Sequence, residues 1–280
     1  MTPPVAFVLS SGASLGAVQV GMMRALIEHE IRPDLVVGCS VGAINGACLA
    51  ADPTPAGVAR IDRFWRTTDA RRLLPRGLRR GVALARRGEA GRDADALRQM
   101  LAECLPATTF EELPVPFQCV ATDVQREVEA WFERGPLVDA VLASSAVPAL
   151  FPTVRIDGRR YLDGAIVDDV PVGRAAALGA RTLYVLEAGL LARSWQEPGR
   201  AVGSAIEAYW IARRHRFRRA LAALAPDVSV HLLPSASPAT LRSGAPDRVD
   251  DLIEEAYAGT AAYLDRLSEV RASVGQDAGR

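Results

Sequence analysis

Lysine is absent from this 280-residue chain: all 33 of its basic residues are arginine, set against 33 acidic ones. That absence excludes a Walker lysine, a Schiff-base lysine and an S-x-x-K serine site. The formal net charge of zero provides no global field toward nucleic acid or an anionic surface. Histidine is scarce, at three residues, so the usual general base has only His29, His215 and His231 to come from. The four cysteines, Cys39, Cys48, Cys104 and Cys119, show no C-x-x-C spacing. Metal and redox readings are therefore poor, no metal or cofactor is expected, and free thiols fit a reducing cytoplasm. No apolar run approaches the ~18 residues of a membrane span, and Met1-Thr-Pro-Pro-Val5 carries no basic segment ahead of its short apolar stretch. A cytoplasmic protein without signal peptide or span is expected. The composition, 49% hydrophobic and 24% charged, is that of a globular chain with a substantial core.

What is present is a nucleophile signal close to the start. The pentapeptide Gly38-Cys-Ser-Val-Gly42 follows the apolar run Asp34-Leu-Val-Val37 and leads into the helix-like stretch Ala43 to Ala50. Strand, G-x-S-x-G, then helix is the context of a sharp turn that exposes a serine. Glycines on both sides, Gly38 and Gly42, let strand and helix approach. Ser40 then lies at a helix N-terminus, where free N–H groups favour an anion.

A serine hydroxyl needs a base. His29 ends a helix-like stretch, His215 lies inside Arg213-Arg-His-Arg-Phe-Arg-Arg219, and His231 alternates with Val228, Val230 and Leu232 in a strand-like one. None has a motif around it. Aspartate is the better candidate. Thr153 to Leu162 reads as a β-hairpin with Asp157-Gly158 as its two-residue turn. The return strand ends in a second Asp-Gly, Asp163-Gly164-Ala165, where no hairpin is needed and Asp163 is free for chemistry. Burial near Ser40 would strengthen it as a base. Donors for an oxyanion are expected from the small-residue loop Ser10-Ser-Gly-Ala-Ser-Leu-Gly16, between a buried first strand and a helix. It lacks G-x-G-x-x-G, so a dinucleotide site is a weak reading.

Strands are expected at 5–10, 34–38, 116–121, 152–157, 159–163, 181–187 and 228–233. Helices are expected near 17–30, 42–51, 93–104, 136–144, 200–224 and 248–270. Such alternation predicts an α/β fold with a mainly parallel central sheet covered by helices. Arginine mixed with leucine and glycine over about 71–92 reads as a mobile surface insertion, or alternatively as a lid near the site. Ile206 to Leu224, where Tyr209, Trp210 and Phe217 sit beside five arginines, reads as a packed helix with an arginine-rich solvent face. A peripheral contact with an anionic membrane is the second reading. No nucleic-acid motif accompanies the arginines.

Taken together, these residues resemble the patatin-like phospholipases, serine lipid acyl hydrolases with a Ser–Asp dyad and a three-layer fold. The resemblance runs from about Ala6 to Val172 within one domain spanning 1–280. Gly38-Cys-Ser-Val-Gly42 matches the family's G-x-S-x-G and implies Ser40 as nucleophile. Asp163-Gly164-Ala165 matches D-G-[GA] and implies Asp163 as base. Ala143 to Pro152 is similar to A-S-x-A-[IV]-P-x-x-F-P, and Val120-Ala-Thr-Asp123 to a central strand end. Two segments depart from the pattern. Ser11-Gly-Ala-Ser-Leu-Gly16 stands for G-G-G-x-R-G, keeping Gly12 and Gly16 but placing Ser11 and Ala13 at glycines and Leu15 at the arginine. Asp169-Val-Pro171 stands where N-x-P is frequent. The implied activity is lipid or small-ester hydrolysis through an acyl-enzyme, with the N–H groups of Gly12 and Ala13 as oxyanion donors. The missing arginine implies a slow enzyme. The alternatives are a Ser–His–Asp α/β-hydrolase and a lipid-binding protein that kept the fold without turnover.

Overall fold

The computed structural model describes residues 4–66, 95, 97–99, 101–102, 104–148, 151–191, 201–237, 240–241 and 249–277. The insertion expected over about 71–92 lies outside the described residues. The chain runs β1 (Val5–Leu9), α1 (Ala17–Glu28), β2 (Leu35–Cys39), α2 (Val41–Ala51), α3 (Pro55–Arg66), β3 (Phe117–Asp123), β4 (Val128–Phe132) and α4 (Leu137–Ser144). It continues through β5 (Val154–Ile156), β6 (Arg159–Asp163), α5 (Val172–Ala177), β7 (Thr182–Leu186), α6 (Ala201–Ala222), β8 (Ser229–Leu232) and α7 (Val249–Asp277).

The eight strands form one sheet, in the order β5-β6-β3-β2-β1-β7-β8 with β4 also paired to β3. β3, β2, β1, β7 and β8 are parallel neighbours, while β4, β5 and β6 join in antiparallel register. The alternation of side chains along β1 explains the layering. Phe7 and Leu9 enter a core with α1, α2, α3, α4 and α7, whereas Ala6 and Val8 enter one with α5 and Phe217 of α6. A strand buried on both faces must be apolar throughout, and Val5–Leu9 is. α1 is buried from Ala17 to Ile27 apart from Arg24, because α7 covers the side turned away from the sheet. Gly21 permits that crossing, since a Cβ there would stand 2.1 Å from the Ile253 carbonyl oxygen.

Three elements were not foreseen. α3 begins at Pro55, with Thr54 Oγ1 accepting from the Gly57 N–H at 3.3 Å, and buries Val58, Ile61, Phe64 and Trp65. β4 and the short α5 complete the set. Of the helix expected over 93–104, residues 95, 97–99, 101, 102 and 104 are helical.

The pairing around β3 positions the site. β4 runs along one edge of β3 from Cys119 to Asp123. The other edge is shared: β2 occupies it up to Val120, opposite Cys39, and β6 takes over at Ala121, opposite Asp163. β2 is parallel to β3 and β6 antiparallel, so their C-terminal ends meet head to head. Residues at the end of β2 and the end of β6 become neighbours across 123 positions of sequence.

Candidate active site

Ser40 stands at the turn between β2 and α2 with φ 55° and ψ −121°. A non-glycine residue in that region stores about 1–3 kcal/mol of backbone strain and persists only when its surroundings fix it. Here they do. A Cβ at Gly38 would meet the Gly42 carbonyl oxygen at 2.4 Å, and one at Gly42 would meet the Leu9 and Ser10 carbonyl oxygens at 2.4 and 2.5 Å. Both glycines exist for close approach. The Ser40 N–H donates to Ser144 Oγ at 2.9 Å, pinning the turn to the end of α4.

The head-to-head meeting of β2 and β6 brings Ser40 Oγ to 2.6 Å from Asp163 Oδ2. Asp163 Oδ1 accepts from the Ala165 N–H at 2.8 Å. The Asp163 N–H donates to Ala146 O at 3.0 Å, and its carbonyl accepts from Thr122 Oγ1 at 2.8 Å. The carboxyl is thus held in one orientation, and both side chains are buried, at 5% and 3% exposure. Burial pushes the Asp163 carboxyl up to about 6, against the hydrogen bonds from Ser40 and Ala165 and the attraction of Arg213, which pull it down. A carboxylate at about 6 is roughly 10²-fold more basic than one at its ordinary value.

The loop after β1 is anchored at several backbone groups. The Ser10 N–H donates to Leu186 O at 3.2 Å, the Ser11 N–H to Asp169 O at 3.1 Å, and the Leu15 N–H to Gly12 O at 3.0 Å. Gln19 Nε2 donates to Ser10 O at 2.9 Å and to Leu186 O at 3.0 Å, and is steadied through Asn45 by Trp65. Among the described residues, the N–H groups of Gly12 and Ala13 donate to no protein acceptor. Gly12 lies against Ala188, and Gly16 against Val41 and Trp65, so the loop packs on the start of α2. Gly164 lies against the Val120 carbonyl behind Asp163. Ala13, the alanine at a glycine position of the pattern, has φ 49°, the left-handed region that glycine occupies without strain.

Residues 7–176 match the patatin-like phospholipase family over more than half of the chain. The chain belongs to that family. An uncharacterized NTE family protein of Mycobacterium tuberculosis is 31% identical over 222 residues, which cover 79% of this chain and 58% of that protein. Lysophospholipase nte1 of Aspergillus terreus is 24% identical over 206 residues, covering 74% of this chain and 13% of that protein. The chain therefore spans little more than half of the bacterial relative and a small part of the fungal one. The crystal structure of VipD from Legionella pneumophila superposes with a TM-score of 0.54 at 14% identity, covering 95% of this chain and 67% of that one. The shared feature there is the fold: a mostly parallel mixed sheet between helices.

In this patatin-like chain the histidines lie elsewhere. His29 bonds Ala25 O and Asp265, His215 is exposed on α6, and His231 stacks on Tyr184 and bonds Tyr263. Asp157 occupies the β5–β6 turn at φ 48° beside Gly158 at φ 76°, the geometry of a type I′ hairpin. Cys39 is a small buried residue packed on Val120 and Ala165.

Arg213 departs from the sequence expectation. The arginine-rich stretch of α6 is not solvated throughout. Arg213 is 4% exposed and pairs with Asp169, itself 2% exposed, at 2.6 Å. Arg216 donates to Ala165 O at 2.9 Å. A signal existed, because Trp210, Arg213, Phe217, Leu221 and Leu224 recur at helical spacing as one stripe. Composition had pointed outward, but the stripe turns Arg213 inward. Two further carboxyls nearby are raised by burial, Glu187 and Asp168, each to about 7.

Proposed function

We propose that this chain is a lipid acyl hydrolase that cleaves carboxylic esters through an acyl-enzyme on Ser40, with Asp163 as its proton acceptor. The observation that carries the reading is the buried 2.6 Å contact between Ser40 Oγ and Asp163 Oδ2. As Oγ attacks the ester carbonyl carbon, its proton passes to Oδ2 and the carbonyl π electrons move to oxygen. The N–H groups of Gly12 and Ala13 receive that oxyanion. Collapse of the tetrahedral intermediate breaks the C–O bond, and the leaving alcohol takes the proton from Asp163. Water then gives a proton to Asp163 and attacks the acyl carbon, and Ser40 Oγ leaves, recovering the proton. The cycle requires no metal or cofactor. Membership in a phospholipase family and the name of the fungal relative support a lipid or lysolipid ester as substrate. Among the described residues no helix is long and apolar enough to cross a membrane.

The test is hydrolysis of p-nitrophenyl butyrate and of lysophosphatidylcholine by the wild type, Ser40→Ala, Asp163→Asn and the double mutant. Each single change is expected to lower kcat/KM by about 10³-fold or more, with the double mutant little worse than either. A His215→Ala/His231→Ala protein is expected to retain the wild-type rate. Loss of turnover in that histidine variant, with folding intact, would return the Ser–His–Asp reading.

A further inference from the structure

The oxyanion loop is tied to an ion pair from the far side of the sheet. Ser11, the residue before Gly12, is held twice by Asp169: its N–H donates to Asp169 O at 3.1 Å, and its hydroxyl donates to Asp169 Oδ1 at 2.5 Å. Arg213 Nη2 completes the triangle, donating to Asp169 Oδ1 and to Ser11 Oγ at 2.6 Å each. The guanidinium lies 4.2 Å from the Trp210 ring centroid and 5.4 Å from that of Tyr209, which fix its plane. Arg213 Nε and Asp169 Oδ2 are buried without a partner among the described residues. A buried ion pair with unsatisfied atoms is a poor source of stability, because desolvation offsets much of the attraction. Its value must lie in what it holds and what it charges.

We infer that Arg213 is a positioning residue: through Ser11 and Asp169 it fixes the loop that presents the Gly12 and Ala13 N–H groups, and its cation supplies the positive potential that Leu15 cannot. This rests on the dyad reading above. It also links two of the chain's departures, Leu15 and Asp169, because the aspartate anchors a cation delivered from α6 instead of from the loop. The same cation faces Asp163 at the end of β6, Glu187 after β7, Cys39 at the end of β2 and Tyr209 on α6. Asp169 faces Asp163 as well and opposes Arg213. Removing the cation should therefore raise the pH at which Asp163 ionises. Removing the Asp169 charge should lower it.

The experiment compares Arg213→Met, Arg213→Lys, Asp169→Asn and Ser11→Ala by two readouts. The first is kcat and KM for p-nitrophenyl butyrate across pH 5–9. The second is the titration of the Asp163 side-chain carboxyl by carbon-13 NMR, assigned with Asp163→Asn, which needs no turnover. Arg213→Met is expected to lower kcat by about 10–10²-fold with little change in KM. It should also move the Asp163 midpoint up by about one pH unit. Arg213→Lys should restore the midpoint and part of kcat. Asp169→Asn should move the midpoint down. Ser11→Ala should lower kcat without moving the midpoint, because it removes the tether and leaves the charge. A folded Arg213→Met protein with the wild-type midpoint and kcat overturns the inference. So does a midpoint that moves the same way in Arg213→Met and Asp169→Asn. If the wild type itself turns over no ester, the dyad reading fails, while the NMR midpoints still decide whether Arg213 governs Asp163.

Discussion

Asp163→Asn should make the protein more stable while removing its activity. The carboxyl moves from an ordinary 3.8 to about 6 on folding, chiefly through burial. The sign follows from proton binding. Between those two values the folded chain holds a proton that the unfolded chain has released, so stability falls as pH rises through the window and stays low above it. At about 1.36 kcal/mol per pH unit, the penalty is about 1 kcal/mol at pH 4.5 and about 3 kcal/mol at pH 8. Asparagine carries no such penalty and can keep both side-chain contacts. Its Oδ1 can accept from the Ala165 N–H, and its amide can donate to Ser40 Oγ, in place of the 2.8 and 2.6 Å bonds of the carboxylate. At roughly 2 °C per kcal/mol for a domain of this size, the variant should melt about 6 °C above wild type at pH 8 and about 2 °C above it at pH 4.5. Glu187 and Asp168 titrate in the same range in both proteins and cancel in the difference. Thermal unfolding by circular dichroism at the two pH values reads it directly. A Tm difference that does not grow between pH 4.5 and pH 8 refutes the claim that Asp163 is held ionised against its surroundings.

Three further outcomes follow from named contacts. The wild-type kcat/KM should rise through a single transition near pH 6 and level off above it, because the proposed base Asp163 has to be deprotonated to accept a proton. A flat profile between pH 5 and 8 would exclude Asp163 as the base. Ala13→Gly should raise stability by about 1 kcal/mol by relieving φ 49°, and a lower Tm would show that the loop is not strained there. Gly42→Ala should lower stability by about 1–3 kcal/mol and remove activity together, since its Cβ would stand 2.4 Å from Leu9 O and push the loop off α2. Unchanged turnover in that variant would mean that the loop's distance from Ser40 is unimportant.

Much of this architecture is local information, and local information is legible. The strands β1, β2 and β7 are short apolar runs because both sheet faces are buried, and the β5–β6 hairpin is announced by Asp157-Gly158. Ser40 and Asp163 stood out because each sits in a turn of small residues at a strand end. That the two strand ends would abut on one edge of β3 was not legible as geometry, since register between distant strands is set by pairing and not by any local pattern. β4 was missed because Val128-Glu-Ala-Trp-Phe132 is exposed to half-buried and lacks a clean alternation. The Cys48–Cys104 contact, with sulfurs 3.6 Å apart across 56 positions, likewise has no sequence motif. The burial of Arg213 is hidden for a different reason. An arginine among arginines looks solvated until its neighbours at helical spacing are counted.

The most direct test of the account is labelling with a fluorophosphonate, followed by peptide mass spectrometry. The account predicts one phosphonyl adduct, on the peptide that contains Ser40, forming about 10³-fold more slowly in Asp163→Asn. An adduct on another serine, no adduct at all, or wild-type labelling rates in Asp163→Asn would contradict it. Absence of labelling in a well-folded protein would favour the alternative of a family member that kept the fold without turnover.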